Sequence, residues 1–189
     1  MPRLTSEHFI ERTSELLATH CGSDVSLAVI LKECDAQKGS LYHFFPGGKD
    51  ELFVATVDKM AGCATRHISK CMEESTCAAT AISKHIRHIA QLMERADRPI
   101  GLPFTAMAAI YGENCPAVRD SCEAAISNVQ SIIAKRLVQD GFTSHKAKSL
   151  GLFSILSIDG AILLSNSRGH AKPLRIAANH LAELLSFDG

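Results

Sequence analysis

Apolar residues recur at helical spacing along almost the whole chain, and no segment alternates apolar and polar residues as a half-buried strand does. The pattern therefore predicts an all-α protein. Capping residues, prolines and glycines divide it into segments, with Asp97-Arg98-Pro99 as one clear break. The predicted helices cover about 4–20, 26–34, 37–44, 49–74, 76–96, 104–111, 116–139, 144–166 and 173–187.

Residues 26–53 hold two short amphipathic helices and the start of a long one. Ser26 or Asp24 can cap the first helix. Asp35 stands at the tight turn that follows, and Asp tolerates a left-handed backbone better than most residues other than glycine. In the second helix Leu41 faces inward and polar residues face outward. This order of elements predicts a DNA-binding helix-turn-helix.

The outward face of the second short helix carries hydrogen-bond donors, one cation and a small glycine. Such a face suits the major groove of DNA, because its longer side chains can reach base edges and the others can reach phosphates. The predicted base readers are Gln37, Lys38 and Ser40, the predicted phosphate contacts are Tyr42, His43 and Lys49, and Gly39, Ser26 and Arg3 complete the predicted DNA-binding surface.

The segment KGSLYHFFPGGKDEL resembles the signature of TetR-type transcriptional repressors. Its PGGK turn is similar to that of the subgroup typified by the lincomycin-resistance repressor. Val25 and Asp35 depart from the family, which usually has Thr and Gly at these positions. The resemblance implies a helix-turn-helix domain over 1–53 and a helical domain for effector binding and dimerisation over 54–189, linked by a connector helix over about 49–74.

The resemblance also implies a function: a homodimeric repressor that binds a palindromic DNA operator and leaves it when a small hydrophobic effector binds. The middle helices carry apolar and aromatic residues and one carboxylate, Asp159, which could line the effector pocket. Spacing alone allows plain core packing equally well. The predicted effector-binding residues are Leu92, Met93, Phe104, Met107, Ile110, Tyr111, Phe153 and Asp159.

The last two predicted helices are the most apolar in the chain, and the first of them is apolar around nearly its full circumference. A helix of this kind must be buried on both sides, so we predict a second subunit on one side. A monomer core is the alternative. The predicted dimer interface comprises Leu152, Ile155, Leu156, Ile162, Leu163, Leu174, Ala178, Leu181 and Leu185.

The chain has 20 basic and 20 acidic residues, so it lacks the overall basic charge of many nucleic-acid-binding proteins. Residues 1–53 hold five Lys and Arg against eight Asp and Glu, a balance of minus three. DNA binding must therefore rest on the local placement of cations, and we expect a shallow dependence on salt. A helical adaptor without DNA binding is one alternative function.

The seven cysteines form no C-x-x-C pair, and we interpret them as reduced thiols buried as small hydrophobes. The alternative is a redox-sensing regulator that uses Cys115 and Cys122, or Cys71 and Cys77, as its switch.

Cys63, His67 and Cys71 share one helical face, which we interpret as an interior stripe rather than a metal site. We interpret His85 and His88 as one face of a polar helix. No metal or cofactor is expected.

Several enzyme and membrane classes find no support in the sequence. It contains no Gly-rich phosphate loop, no G-x-S-x-G elbow and no H-E-x-x-H, so we predict that the protein is not an enzyme. The N-terminal residues show no signal peptide, and the apolar stretch from Leu150 to Leu164 is too short to span a bilayer comfortably. We expect a cytoplasmic protein without a membrane partner.

Overall fold

The computed structural model describes residues 4–19, 25–96 and 100–186. The predictions for Arg3, Asp24 and the break at 97–99 lie outside these residues. The described part is all-α, as predicted, and shows no strand. Its nine helices are α1 (Ser6–Thr19), α2 (Leu27–Glu33), α3 (Lys38–Phe44), α4 (Lys49–Glu74), α5 (Ala78–Ala96), α6 (Phe104–Tyr111), α7 (Pro116–Gln139), α8 (Ser144–Arg168) and α9 (Lys172–Leu184).

Local signals in the sequence explain where the first helices begin. The Thr5 hydroxyl accepts a hydrogen bond from the His8 N–H at 3.1 Å, and the Ser26 hydroxyl accepts one from the Val29 N–H at 3.3 Å. Ser26 therefore supplies the cap for α2. Val25, where the resemblance expects a threonine cap, is fully buried instead.

The turn between α2 and α3 depends on the backbone of Asp35. Its φ angle is +47°, in the left-handed region, and among the described residues other than glycine it is the only one with a positive φ. The side chain is exposed, so its contribution to folding is through backbone conformation rather than packing. The left-handed turn predicted at this position is confirmed.

This turn gives a first testable prediction. Asp35→Val should lower the free energy of unfolding by about 1–2 kcal/mol, because a β-branched residue resists the left-handed region. Asp35→Gly should stay within about 0.5 kcal/mol of the natural chain, since relief of strain offsets the greater flexibility of the unfolded state. Urea denaturation of the three proteins measures both effects. Equal losses in the two variants would contradict the backbone argument.

The first hydrophobic cluster, called the head cluster, joins α1, α2, α3 and the first half of α4. Phe9, Ile30, Leu41 and Leu52 are fully buried in it. The cluster continues beyond residue 53 into α6 and the start of α7. The helix-turn-helix is therefore packed directly against part of the second predicted domain.

The second hydrophobic cluster, called the body cluster, joins the far half of α4 with α5, α7, α8 and α9. Helix α5 packs against α4 and α9, and α7 packs between α4 and α8. The two clusters share α4 and α7, so these two helices connect the DNA-binding head to the body.

The connector α4 is held firmly at its C-terminal end. The Arg136 guanidinium on α7 donates hydrogen bonds to the backbone carbonyls of Met72 and Ser75. It also binds the Asp140 carboxylate, at 3.0 Å from Nε, and Asp140 accepts from the Ala78 N–H at 2.5 Å. These contacts fix the junction of α4, α5 and α7.

Helix α8 is apolar on two sides with different environments. One side packs against α7 and α9, whereas Leu152, Leu156 and Leu163 on the other side are exposed. With 25 residues, it is the one helix in the described chain that is long and apolar enough to cross a membrane. The apolar stretch from Leu150 to Leu164 lies within this helix.

Candidate DNA-binding surface, effector cavity and subunit face

The predicted recognition surface is the outer face of α3 with Gln37 before it. Gln37, Lys38, Gly39 and His43 are exposed, and Tyr42 is 41% exposed. A Cβ atom added at Gly39 would meet nothing within 4 Å, so the backbone here is open to a close partner.

The side chains of this surface are organised around Tyr42. The Lys38 ammonium nitrogen lies 5.7 Å from the centre of the Tyr42 ring. The other edge of the ring packs against Gly48, where an added Cβ atom would lie 3.2 Å from a Tyr42 carbon. Gly48 has a φ of +72° and precedes Lys49, the first residue of α4. The PGGK turn thus brings α3 and the N-terminus of α4 onto one surface.

Lys49 and Ser40 are less accessible than the sequence analysis expected. Lys49 is half-buried, and its ammonium nitrogen lies 4.9 Å from the centre of the Phe53 ring. Ser40 is also half-buried. Ser26 is exposed, although its hydroxyl already accepts the capping hydrogen bond.

Three of the eight acidic residues in residues 1–53 lie on α1, and all three are paired. The Lys59 ammonium of α4 binds Glu7 at 2.6 Å and Glu11 at 3.6 Å, and Arg12 binds Glu15 at 2.8 Å. The ion pair with Lys59 lowers the pKa of the Glu7 carboxyl. Helix α3 itself carries no acidic residue, whereas Glu33, Asp35, Asp50 and Glu51 are exposed on the segments that flank it.

A largely apolar cavity of about 560 Å³ lies beneath the head. Its wall draws on α1, α4, α5, α7, α8 and the start of α6. This volume is typical of sites for drug-sized ligands. Representative apolar wall residues are Met60, Ile89, Leu92, Leu102, Phe104, Ile126, Val129, Ile155, Ile158 and Ile162.

Of the eight predicted effector-binding residues, Leu92, Phe104 and Asp159 line this cavity. The other five do not. Met107, Ile110 and Tyr111 turn toward the head cluster, because the side of α6 that carries them faces α4 and α7. The Tyr111 ring meets the Phe53 ring edge-on, with 5.1 Å between ring centres.

The remaining two predicted effector residues also lie outside the cavity wall. Met93 is buried in the body cluster. Phe153 lies on the exposed side of α8. An apolar residue on a helix that is apolar all round can face any of several neighbours, and spacing within the helix does not say which.

Asp159 is the carboxylate of the cavity wall. It lies on α8 among apolar residues and accepts a hydrogen bond from the Thr105 hydroxyl of α6 at 2.6 Å. Burial raises the pKa of the Asp159 carboxyl, and the hydrogen bonds from Thr105 only partly oppose that shift. This contact links α8 to α6 at the edge of the cavity.

Three histidines meet at the other side of the cavity. The Nδ1 atoms of His67 on α4 and His85 on α5 lie 2.8 Å apart, so one must carry a proton and the other a lone pair. The His88 ring stacks on His67, with 3.9 Å between centres. His85 is only 7% exposed, so interpreting it as part of a polar face was wrong. The i, i+3 spacing of His85 and His88 was the sequence signal for this contact.

The three histidine rings contact one another. The Nδ1 atoms of His67 and His85 share one hydrogen bond, and His88 stacks flat on His67. In the described ranges, no three His, Cys, Asp or Glu side chains are arranged to hold a metal ion.

Burial of His85 gives a second testable prediction. Burial lowers its pKa from 6.5 to about 4, so the folded protein keeps His85 neutral while the unfolded chain protonates it. Stability from this residue is complete above the unfolded pKa and is lost as the pH falls from about 6.5 to about 4. Over that range the natural chain should lose about 3 kcal/mol more than His85→Gln. Denaturation at each pH measures this; parallel losses would contradict it.

Most of the cysteines in the described ranges are buried. Cys34, Cys71, Cys115 and Cys122 are buried, and burial raises the pKa of Cys34 and Cys122 to about 11. These thiols are poor nucleophiles at neutral pH. Cys63 is exposed, so placing it in an interior stripe was wrong; its sulfur accepts a hydrogen bond from Arg66.

The predicted dimer residues divide into two groups. The body cluster of the same protomer buries five of them. The apolar side of α9 faces α5 and α8, which buries Leu174, Ala178, Leu181 and Leu185, and Ile155 of α8 is buried in the same cluster. They are unavailable to a partner, and their assignment was wrong. Ile162 is half-buried at the cavity. Leu152, Leu156 and Leu163 remain exposed.

Further exposed apolar side chains accompany these three leucines. Together they form a surface that we call the α8–α9 face, and nothing lies within 4 Å of a Cβ atom added at Gly160 in its middle. An exposed apolar surface of this kind is typical of an interaction site. The α8–α9 face comprises Leu152, Phe153, Leu156, Leu163 and Leu164 of α8 with Ile176 and Leu184 of α9.

A helix-turn-helix head, a long connector helix and a helical body around an apolar cavity are the architecture of a DNA-binding transcriptional regulator. The model of the C-terminal domain of LmrA/YxaF-like transcriptional regulators matches residues 78–180, more than half of the chain. The chain belongs to the TetR family, in its LmrA/YxaF-like group.

Relatives and solved structures agree with this assignment. The chain is 31% identical over 156 residues to the HTH-type transcriptional regulator LmrA of Bacillus subtilis, covering 82% of this chain and 83% of LmrA. It is 29% identical over 182 residues to the uncharacterized regulator YxaF of the same organism, covering 96% and 94%. A TetR regulator from Legionella pneumophila shares the fold, with a TM-score of 0.85 at 16% identity, covering 98% and 100%.

Proposed function

We propose that the protein is a repressor that binds a palindromic operator as a homodimer and leaves it when a small apolar molecule occupies the cavity. The observation that carries the proposal is that one cavity is bounded both by α1 and α4 of the DNA-binding head and by α5 to α8 of the body. A molecule in this position contacts both parts at once.

Contact with DNA rests on the exposed face of α3. Gln37 and Lys38 have the lengths and donors to reach base edges in the major groove, and Tyr42 and Lys49 border them where phosphates would run. His43 is exposed on the same helix. Helix α3 carries no acidic residue and the glutamates of α1 are ion-paired, which supports DNA binding despite the acidic balance of the head.

Dimerisation rests on the α8–α9 face. Seven large apolar side chains are exposed there, and Gly160 allows a partner helix to approach closely. An isologous contact through this face would repeat the same residues on both subunits and give two recognition helices related by a two-fold axis. A dimer of that symmetry reads a palindrome.

In this proposal, release of DNA rests on movement of the N-terminal half of α4 together with the head. Arg136 fixes the far end of α4 at the α5 and α7 junction. The near end contacts the cavity through Lys59, Met60 and Cys63, and Lys59 also binds α1. An occupant that pushes on this segment tilts the head about the fixed end and changes the spacing of the two recognition helices. Coupling of this kind typically amounts to about 1–3 kcal/mol.

Selection of duplexes from a random DNA library by the purified protein tests the proposal, because the library contains every short operator sequence. Enrichment of an inverted repeat, with half-sites about one helical turn or more apart, is the expected result. Enrichment of a single unrepeated site, or no enrichment, would contradict dimeric operator binding.

A further inference from the structure

The Asp159 carboxylate is the charged group of the cavity wall that lacks a cationic partner. Its side-chain partner is the neutral Thr105 hydroxyl, at 2.6 Å from Oδ2. In the described chain, no lysine or arginine lies within ion-pair distance of it. A partly buried carboxylate without a counter-charge is unfavourable, and its raised pKa reflects this.

Four other ionisable groups of the wall, Lys59, Glu15, His67 and His85, do not compensate Asp159. Lys59 is bound to Glu7 and Glu11, and Glu15 is bound to Arg12. Burial lowers the pKa of His67 and His85, which keeps both rings neutral at pH 7. The wall therefore carries an excess of negative charge, which favours a cation and disfavours an anion.

We propose that the cavity takes an apolar molecule bearing a protonated amino group, which donates a charge-assisted hydrogen bond to Asp159. The apolar body of the molecule then lies against Leu92, Ile155 and Ile158. The proposal rests on the effector function proposed above and names the chemical class of that effector. Charge-assisted hydrogen bonds are the stronger ones in a partly desolvated site.

An ion pair between the ammonium group and Asp159 also affects α6, because Asp159 is hydrogen-bonded to Thr105 of that helix. Thr105 lies in the first turn of α6, which also carries Met107 and Tyr111, and Tyr111 packs on Phe53 of α4. An ammonium group at Asp159 competes with Thr105 for the carboxylate. Occupation of this corner of the cavity therefore reaches the head through α6 as well as through α4.

Three probes with one apolar body and different head groups test the proposal. They are pyrenemethylamine, pyrenemethanol and pyrenecarboxylic acid, whose binding to the full chain is followed by the anisotropy of pyrene fluorescence at pH 7. Each is titrated against the natural chain, Asp159→Asn and the matched control Asp120→Asn, whose carboxylate is exposed on α7. Retained binding of the alcohol by Asp159→Asn shows that this variant keeps its fold.

The expected result is that the amine binds the natural chain and Asp120→Asn at least roughly tenfold more tightly than the alcohol, with the acid weakest. In Asp159→Asn the amine should lose this advantage. Equal binding of amine and alcohol, preference for the acid, or an amine preference that survives in Asp159→Asn would overturn the proposal. If Asp159→Asn is unstable, the order of the three probe affinities in the natural chain still tests the proposal.

Two further outcomes separate this proposal from the proposed function. If none of the three probes binds, the cation site is overturned together with the apolar effector cavity. If the amine binds with the expected preference but leaves the affinity for the selected operator unchanged, the cation site stands and the proposed release of DNA fails.

Discussion

Lys38→Ala is expected to weaken binding to the selected operator by at least about tenfold. A lysine or arginine paired with a guanine edge typically contributes about 1–3 kcal/mol of discrimination. Lys38 is exposed on α3, and its ammonium lies 5.7 Å from the Tyr42 ring centre, so the side chain extends along the recognition surface. Binding to a scrambled duplex should weaken much less, and the salt dependence should stay nearly unchanged. Fluorescence anisotropy on both duplexes measures these differences.

The matched control for this experiment is Lys135→Ala. Lys135 carries the same charge and is exposed on α7, away from α3. The control should keep the affinity of the natural chain for the operator. If Lys38→Ala weakens binding to operator and scrambled DNA equally, Lys38 contacts a phosphate. If the affinity for the operator is unchanged, α3 does not lie in the major groove.

Leu156→Glu is expected to raise the dissociation constant of the dimer by roughly a hundredfold or more. Leu156 is 59% exposed on α8 in the isolated protomer, so the substitution leaves the protomer core intact. In a two-fold contact the change occurs twice, and each copy loses about 1.5–3 kcal/mol of apolar burial besides burying a charge. Sedimentation velocity over a concentration series measures the shift. Operator binding should fall with it.

Val138→Glu provides the control for Leu156→Glu. Val138 is 44% exposed and lies on α7, outside the α8–α9 face. This variant should dimerise as the natural chain does. A dimer that withstands Leu156→Glu but dissociates in Val138→Glu would place the subunit contact elsewhere.

The helix-turn-helix could be predicted from the sequence because its determinants are local. The left-handed turn at Asp35, the Ser26 cap and the inward position of Leu41 follow from residue types and short spacings. The helix bounds were equally accessible, since prolines and glycines mark most of the breaks. The family model and the relatives confirm the LmrA/YxaF-like resemblance.

The cavity and the subunit face could be predicted only in part, because they depend on how helices face one another. Periodicity marked α9 as amphipathic but could not say that Leu174 and Leu181 pack inside the protomer. It also could not show that His85 of α5 meets His67 of α4, or that Tyr111 turns to Phe53. Asp159 was identifiable because a carboxylate within an apolar helix stands out chemically.

One titration decides whether α3 binds DNA in a sequence-specific manner. Fluorescence anisotropy follows the purified protein binding DNA from upstream of its own gene, with scrambled competitor, across a series of salt concentrations. The account predicts a dissociation constant of about 10 nM or tighter, resistance to the competitor and a shallow salt dependence. Equal affinity for the scrambled duplex, in both oxidised and reduced protein, would contradict it.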